Sequence, residues 1–219
     1  GCLFHYVISA GRHPFGERHE REANIVAGRP DLSAIADPEA ADLIIRMVAR
    51  DPASRPSCPS VLSHPFFWRV ERKLAFLADV SDRLEREERI RSPVARILES
   101  PRSAILSNGD PSIEPNWHRQ VDRAFWDDLG KYRRYFPNSC QDLLRAMRNK
   151  RHHFQELPEV LKKTLGDTPA QFYRYFAVRF PALLIETYKA VDQCPEWRRD
   201  NPFRDVYFGA AGEGDEFEG

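Results

Sequence analysis

Proline is the residue that most limits what this chain can fold into, because it recurs along the whole sequence, at seventeen of 219 positions. A proline in a helix interior lacks a backbone N–H and clashes with the preceding turn, so helices are expected to end near the next proline. Between prolines, apolar residues recur at helical spacing, as at Leu143, Leu144 and Met147, whereas the alternation typical of strands is weak. The sequence therefore predicts an all-α chain of many short helices.

Composition excludes several classes of protein. No apolar run approaches the roughly 18 residues of a membrane-spanning helix, and no secretory signal peptide is present, so no direct membrane contact is expected. The four cysteines, Cys2, Cys58, Cys140 and Cys194, lie far apart and form no CxxC pair. A structural metal site and a disulfide framework are therefore not predicted, and a reducing compartment is the expected environment.

The segment LLRAMRNKRHHF, Leu143 to Phe154, combines arginine, asparagine and histidine without a carboxylate. Ser139 precedes it, with Asp142 three residues later, which is typical of a capping box and predicts a helix that begins at Ser139. Asn149 and His153 are four residues apart, so both would project from one side of a helix that continues this far.

Positive charge is concentrated around this segment. Between Lys131 and Gln155 the only carboxylate is that of Asp142, although the whole chain has zero net charge. The cations of this stretch are Lys131, Arg133, Arg134, Arg145, Arg148, Lys150 and Arg151. Such a local excess predicts a surface that binds anions.

The same side chains suit cleavage of a phosphodiester. Histidine, with an unperturbed pKa of about 6.5, can give a proton to a departing 5′ oxygen near neutral pH. Arginine presents a planar fork that matches phosphate oxygens, and asparagine can donate to those oxygens or orient the ribose. Tyr135 could contact or deprotonate a 2′ hydroxyl, although a phenol with a pKa of about 10 needs help from nearby cations. This chemistry requires no metal ion.

Motifs on both sides of this segment point to a known family. The run LLRAMRNKRHHF is followed by ELP and later by RFPALLIETY. Together they resemble the kinase-extension nuclease domain of the inositol-requiring enzyme family, the unfolded-protein-response sensors of the endoplasmic reticulum. The 2-5A-dependent ribonuclease is the sister family. The resemblance extends from Gly1 to about Phe208.

The N-terminal motifs HPFG, DPASRPS and HPFFW resemble the closing helices of a protein-kinase C-terminal lobe, in which Asp37 is a candidate N-cap. We therefore predict three regions. Residues 1–68 form the end of a kinase lobe, residues 69–208 form the nuclease domain and begin with a long helix, and residues 209–219 form a disordered acidic tail.

The parts that phosphoryl transfer requires are absent from the sequence. It contains no GxGxxG loop, VAIK lysine, HRD loop or DFG aspartate. The kinase-like region is therefore not expected to act as a kinase by itself. ATP or ADP with Mg²⁺ would bind to another part of a longer protein, of which we expect this chain to be a fragment.

The resemblance implies roles for individual residues. His153 would be the general acid, Tyr135 would contact or activate the 2′ hydroxyl, and Arg148 and Asn149 would hold the scissile phosphate. The implied RNA-binding residues are Lys131, Arg134, Arg145, Lys150 and Arg151. The products would be a 2′,3′-cyclic phosphate and a 5′ hydroxyl, formed without a metal ion or cofactor.

The resemblance also implies a cellular setting. The substrate would be the single-stranded loop of a messenger RNA hairpin, consistent with the general preference of RNA readers for unpaired bases. The reaction would serve messenger RNA splicing or decay. The protein would act as a homodimer or higher oligomer at the cytosolic face of the endoplasmic reticulum membrane.

Two interpretations without catalysis remain open. A module that only binds RNA would hold phosphates by charge and would lose affinity with salt, but it would not cleave. A helical interaction scaffold would present its basic face to an acidic partner and would have no particular affinity for RNA. Within the nuclease interpretation, the stress sensor and the 2-5A-dependent sister are not distinguished.

Two further segments have weaker patterns. The prolines and the NGD turn between Pro101 and Pro115 predict a loop. Farther on, Val121, Phe125 and Leu129 are spaced by four, with Trp126 beside them. Aromatic residues at this helical spacing are interpreted as core residues rather than as a base-stacking surface.

Overall fold

The computed structural model describes residues 1–87, 92–108, 110, 112–131 and 133–208. These residues form two compact units, Gly1–Phe67 and the chain from Trp68 onward. Every regular element in the described ranges is helical, which confirms the predicted all-α class. No helix among these residues is both long and apolar enough to cross a bilayer. The acidic tail predicted at 209–219 lies outside the described residues.

The first unit is built from short helices around a small core. Its elements are α1 (Cys2–Ile8), α2 (Arg21–Ala27), α3 (Pro38–Met47) and α4 (Cys58–Leu62), with 3₁₀ turns at Pro52–Ser54 and Pro65–Phe67. The Asp37 carboxylate accepts hydrogen bonds from the backbone N–H groups of Glu39 and Ala40, which confirms Asp37 as the N-cap of α3. The core cluster consists of Phe15, Ile35, Ala40, Ile44 and Val48.

The second unit contains the remaining helices. They are α5 (Val70–Arg86), α6 (Pro93–Glu99), α7 (Arg102–Leu106), α8 (Arg123–Gly130), α9 (Cys140–His152), α10 (Glu159–Leu165), α11 (Pro169–Arg179), α12 (Leu183–Asp192) and α13 (Pro195–Arg199). Shorter turns are 3₁₀ helices at Trp117–Gln120 and Phe154–Glu156 and a π-helical turn at Phe203–Phe208. The predicted long helix that opens this unit is thus present as α5.

Two groups of contacts contribute to this unit's core. The long helix α5 packs along α9, and both helices bury an apolar side, with Leu143, Leu144 and Met147 of α9 almost fully covered. A cluster of aromatic rings adds to it, with centroids 5.0 to 6.3 Å apart, a spacing that favours edge-to-face contacts. Its members are Trp68, Phe76, Tyr188, Phe203 and Tyr207. Because α9 also packs against α6 and α7, it lies within the core of this unit.

The start of α9 matches the prediction only in part. Ser139 is the N-cap, and its hydroxyl accepts a hydrogen bond from the Asp142 N–H at 3.2 Å. The Asp142 carboxylate does not return to Ser139, as a capping box requires, but accepts from the Phe136 N–H at 2.7 Å. The predicted capping box is therefore half formed, and Asp142 instead fixes the chain that enters the helix.

A carboxylate from another helix completes this helix start. Glu99, the last residue of α6, accepts hydrogen bonds from the Ser139 hydroxyl at 2.8 Å and from the N–H groups of Cys140 at 3.2 Å and Gln141 at 3.1 Å. Backbone N–H groups in a first helical turn have no partner within the helix, and negative charge there is favourable. Glu99 thus caps the first turn of α9 from a neighbouring helix.

We expect Glu99→Ala to lower the free energy of unfolding by roughly 1–2 kcal/mol, the usual range for a lost N-cap. Chemical denaturation followed by circular dichroism measures this loss. A matched control is Glu114→Ala, because Glu114 is exposed and its nearest cation, Arg119, is 3.9 Å away. The control should change stability by less than about 0.5 kcal/mol. Equal effects of the two substitutions would show that Glu99 is not a cap.

The prediction of a loop between Pro101 and Pro115 is wrong for Arg102–Leu106, which forms α7. Ile105 and Leu106 are fully buried. Burial of these two apolar side chains stabilises a helical turn that would be too short to persist alone. Tertiary packing thus makes the start of this segment helical, although its prolines and turn motif predict a loop.

Candidate active site

The helix α9 brings two of the predicted catalytic residues together at its C-terminal end. It ends at His152, one residue before the predicted general acid, and His153 follows with φ −102° and ψ 26°. The His153 N–H still donates to the Asn149 carbonyl at 3.1 Å. His153 therefore stays within one turn of Asn149 although it lies outside the helix.

A cavity of about 240 Å³ lies against this end of α9. Three of the four predicted catalytic residues line it, namely Tyr135, Asn149 and His153. The other lining residues are Asp128, Leu129, Arg133, Lys150, Glu156, Leu157 and Pro158. Three chain segments meet here: the C-terminal half of α8, the loop before α9, and the end of α9 with the turn that follows it.

Tyr135 is held in this cavity by contacts on several sides. The Asn149 side-chain amide donates a hydrogen bond to the Tyr135 hydroxyl at 2.9 Å. The Arg145 guanidinium lies over the Tyr135 ring, 4.7 Å from its centroid, and Trp117 meets the ring edge-on at 6.3 Å. Because the hydroxyl oxygen accepts from Asn149, its own O–H can donate to a further group.

His153 has a carboxylate partner that the sequence interpretation missed. Its Nδ1 lies 3.2 Å from Glu156 Oε2, and both side chains are mostly exposed. With Nδ1 donating to the carboxylate, Nε2 is the nitrogen left to face a substrate. Glu156 lies three residues after His153, within the motif HHFQELP, so the spacing was visible in the sequence.

Asp128 is a second missed carboxylate, and it connects two predicted RNA-binding residues. It is buried, it accepts a hydrogen bond from the Lys150 ammonium, and it accepts another from Lys131 at 3.1 Å. Burial alone would raise the pKa of Asp128, but the hydrogen bonds and positive charges of Lys150 and Lys131 hold that pKa below its ordinary value. Lys150 is therefore a buried, paired cation rather than a solvated one, whereas Lys131 is mostly exposed.

Arg148 does not line the cavity. Its Nε lies 3.0 Å from Asp82, and its guanidinium also contacts the Glu85 carboxylate, both on α5. Successive residues of an α-helix are rotated by about 100°, so Arg148 faces α5 while Asn149 faces the cavity. Arg151, three residues later, lies on the same side as Arg148. The structure thus separates these two arginines from Tyr135 and His153.

The remaining predicted cations surround Tyr135. Arg145 donates to the Arg134 carbonyl at 3.0 Å and lies within 4 Å of both Glu85 and Asp142. The Arg134 side chain is exposed and lines a neighbouring cavity. Arg133 was not among the predicted RNA-binding residues, yet it lines both that cavity and the cavity of His153. Both arginines belong to the run KYRRYF, and nothing in the sequence distinguished Arg133 from Arg134 as a residue of this cavity.

Comparison with known proteins finds several relatives that are much longer than this chain. The chain is 46% identical over 198 residues to the serine/threonine-protein kinase/endoribonuclease ire-1 of Caenorhabditis elegans. This alignment covers 89% of the chain and 20% of the relative. The chain is 42% identical to the human kinase/endoribonuclease IRE2, over 89% of this chain and 21% of the relative. It is also 42% identical to the sensor for unfolded proteins in the ER ire1 of Schizosaccharomyces pombe, over 87% of this chain and 18% of the relative. The chain spans about a fifth of the length of these relatives.

A family model described as Ribonuclease 2-5A matches residues 73–207, which is more than half of the chain. The match covers α5 to the π-helical turn and includes all the residues that line the cavity. It agrees with the resemblance inferred from the motifs around α9 and confirms the prediction of a ribonuclease domain. The chain therefore belongs to the Ribonuclease 2-5A family.

Proposed function

We propose that residues 69–208 cleave RNA as an endoribonuclease. The observation that carries this proposal is the shared cavity of Tyr135, Asn149 and His153, which come from a loop, a helix and the turn after that helix. A basic helix end that served only as a solvated surface would not require a phenol, an amide and an imidazole around one cavity. Membership of a ribonuclease family supports the same conclusion.

The proposed reaction is an in-line transfer within the RNA. The 2′ oxygen attacks phosphorus, the bond from this oxygen to phosphorus forms, and the bond from phosphorus to the 5′ oxygen breaks. His153 donates a proton to the departing 5′ oxygen. Tyr135 contacts and orients the 2′ hydroxyl, whose proton passes to solvent water as the oxygen attacks. The products are a 2′,3′-cyclic phosphate and a 5′ hydroxyl. No metal-activated water takes part in these steps.

The growing charge on the phosphate needs hydrogen-bond donors around the cavity. Asn149, Arg133 and Lys150 line it and can donate to phosphate oxygens. Arg148, which the resemblance assigns to the same phosphate, is paired with Asp82 and Glu85. A contact between Arg148 and RNA therefore requires its guanidinium to leave these carboxylates or to be shared with them.

We further propose a setting for this reaction. Residues 1–68 are the end of a kinase lobe in a longer protein, whose other parts bind ATP or ADP with Mg²⁺. The protein acts as a homodimer or higher oligomer at the cytosolic face of the endoplasmic reticulum, on messenger RNA stem-loops, in the unfolded protein response. This setting is supported by the printed names of the relatives, which combine kinase and endoribonuclease and, in one case, a sensor for unfolded proteins.

The test is cleavage of a labelled RNA hairpin by the full-length protein that contains this chain, in excess EDTA. We expect cutting without added metal, and mass spectrometry should find fragments that end in a cyclic phosphate, which is lighter than a linear phosphate by one water. A hairpin with a 2′-deoxy nucleotide at the cut position should remain whole, because its nucleophile is missing.

Three results would contradict the proposal in different ways. Cutting that returns only with Mg²⁺ would indicate a metal-activated water. Cutting of the 2′-deoxy hairpin would show that the 2′ oxygen is not the nucleophile. Salt-sensitive binding of the hairpin without any cutting would assign this basic surface to RNA binding alone.

A further inference from the structure

A second cavity, of about 320 Å³, adjoins the first one. It is lined by Trp126, Leu129, Gly130, Arg133, Arg134 and Tyr135. Leu129, Arg133 and Tyr135 line both cavities and so form the wall between them. A nucleotide next to the one whose phosphate lies in the first cavity would therefore meet the second.

Trp126 gives this second cavity an aromatic surface. Phe125, the residue before it, is fully buried, whereas Trp126 is only partly buried and lines the cavity. The His118 imidazole stacks on the Trp126 ring with centroids 4.1 Å apart and planes at 29°. The Trp117 and Trp126 rings are in edge-to-face contact with centroids 5.0 Å apart. These contacts hold the indole in a fixed orientation. A base that entered the cavity would meet the Trp126 side chain.

Two exposed cations lie beside the indole. Arg133 and Arg134 line the same cavity, and the Arg134 carbonyl is fixed by its hydrogen bond from Arg145. The Arg133 side chain is 59% exposed, and its guanidinium lies 3.9 Å from Glu85, a separation that leaves it able to contact a phosphate. An aromatic face next to arginine side chains is the arrangement by which proteins bind single-stranded RNA, with the base on the ring and the backbone on the cations.

We propose that Trp126 stacks on the base of a nucleotide that flanks the scissile phosphodiester, while Arg133 and Arg134 hold the adjoining backbone phosphate. This inference rests on the proposed cleavage of RNA in the first cavity. Stacking depends on the flat face that every base has, so the subsite requires a base without selecting one strongly. It adds a contact outside the reacting atoms and restricts the substrate to unpaired RNA on this side of the cut.

The test compares RNA substrates that lack one base. The full-length protein is given hairpins in which one of the two nucleotides that flank the cut is abasic, and cleavage is measured as kcat/KM. For one of these two positions, loss of the base should lower kcat/KM by about tenfold, the usual effect of one base on an aromatic platform. Trp126→Leu should lower kcat/KM for the intact hairpin by a similar factor and should remove the difference between intact and abasic RNA.

Trp126→Phe is the matched control, because it retains an aromatic ring and should retain most of the discrimination. A purely structural role of Trp126 predicts a different result: the Leu variant would lose activity equally on intact and abasic RNA. That result would overturn the proposed subsite. So would a wild-type kcat/KM that is unchanged by an abasic nucleotide at either position. Each comparison is a ratio of kcat/KM for intact and abasic RNA with the same protein, so it does not require the variant to be fully stable.

Binding separates this inference from the cleavage proposal. Affinities are also measured for the same hairpins with a 2′-deoxy nucleotide at the cut position. If RNA binds with the base dependence described and Trp126→Leu removes that dependence, the subsite stands even if no RNA is ever cut. If RNA is cut but neither rate nor affinity responds to the flanking bases, cleavage stands and the subsite is wrong.

Discussion

Replacing His153 by alanine is expected to lower the single-turnover rate of RNA cleavage by about 10²- to 10⁴-fold, the usual contribution of a general acid. The alanine variant cannot give a proton to the departing 5′ oxygen, and no other histidine lines the cavity in the described part of the chain. Affinity for a 2′-deoxy hairpin should change little, because the cations around the cavity remain. Quenched-flow cleavage and fluorescence anisotropy measure the two quantities.

His152 provides the matched control for this substitution. It is the last residue of α9, it is exposed like His153, and it does not line the cavity. We expect His152→Ala to retain a cleavage rate within a few fold of the wild type. If both variants lose activity equally, the basic run acts through its overall charge. If only His152→Ala is inactive, the assignment of the acid is wrong.

Replacing Asp128 by alanine is expected to lower the free energy of unfolding by about 3–5 kcal/mol, because it leaves the Lys150 ammonium buried without its carboxylate. Both side chains of this pair are at most 6% exposed, so solvent replaces the lost partner poorly. Denaturant titration of the wild type and the variant measures the loss. A change below about 1 kcal/mol would mean that Lys150 moves into solvent when its partner is removed.

A double substitution tests whether the pair itself is responsible. Asp128→Ala combined with Lys150→Met should recover most of the lost stability, since removal of both charges leaves no buried ion unpaired. Lys131→Met should cost less than about 1 kcal/mol, because Lys131 is mostly exposed. Recovery of stability with continued loss of cleavage would indicate that Lys150 also acts on the phosphate.

The lowered pKa of Asp128 predicts how this stability depends on pH. A carboxyl group whose pKa is lower in the folded state stabilises the fold above its unfolded pKa of about 3.9, and that contribution is lost as pH falls through the folded value. The stability difference between the wild type and Asp128→Asn should therefore be constant above about pH 5 and should shrink below about pH 4. A stability difference that grows as pH falls would mean that the fold raises the pKa of Asp128 instead of lowering it.

Local signals predicted the helical elements well. Asp37 and Ser139 begin helices because their side chains can accept hydrogen bonds from the first turn, and this chemistry depends only on neighbouring residues. The spacing of Leu143, Leu144 and Met147 similarly predicts the buried side of α9 without knowledge of what covers it. The residues around the cavity came from motif resemblance, and three of the four predicted catalytic residues meet there.

The partners of the cations could not be predicted from the same stretch of sequence. A charge count from 131 to 155 includes one carboxylate, but the fold adds Asp82 and Glu85 from α5 and Asp128 from α8. These residues are distant in sequence from Arg148 and Lys150, so no spacing rule connects them. The predicted anion-binding surface is therefore smaller than the sequence suggests, and Arg133, Arg134 and Lys131 are its most exposed cations.

Helical spacing also could not show whether Trp126 lies in the core or lines a cavity. Phe125 and Trp126 are adjacent and both apolar, but the first is fully buried and the second lines a cavity. Residues 100° apart on a helix can face different surroundings, and the difference depends on which segments pack over α8. The interpretation of these aromatics as core is confirmed for Val121, Phe125 and Leu129 and incomplete for Trp126.

The position of α9 has a consequence for how such an enzyme would lose activity on heating. The helix that presents Asn149 also fills the middle of the core with Leu143, Leu144 and Met147. Elements of this kind do not open separately, and their amide protons exchange only when the whole domain unfolds. Asn149 should therefore keep its position until the whole domain unfolds. Any loss of activity below that temperature would come from the loop that carries Tyr135 or from the exposed turn that carries His153.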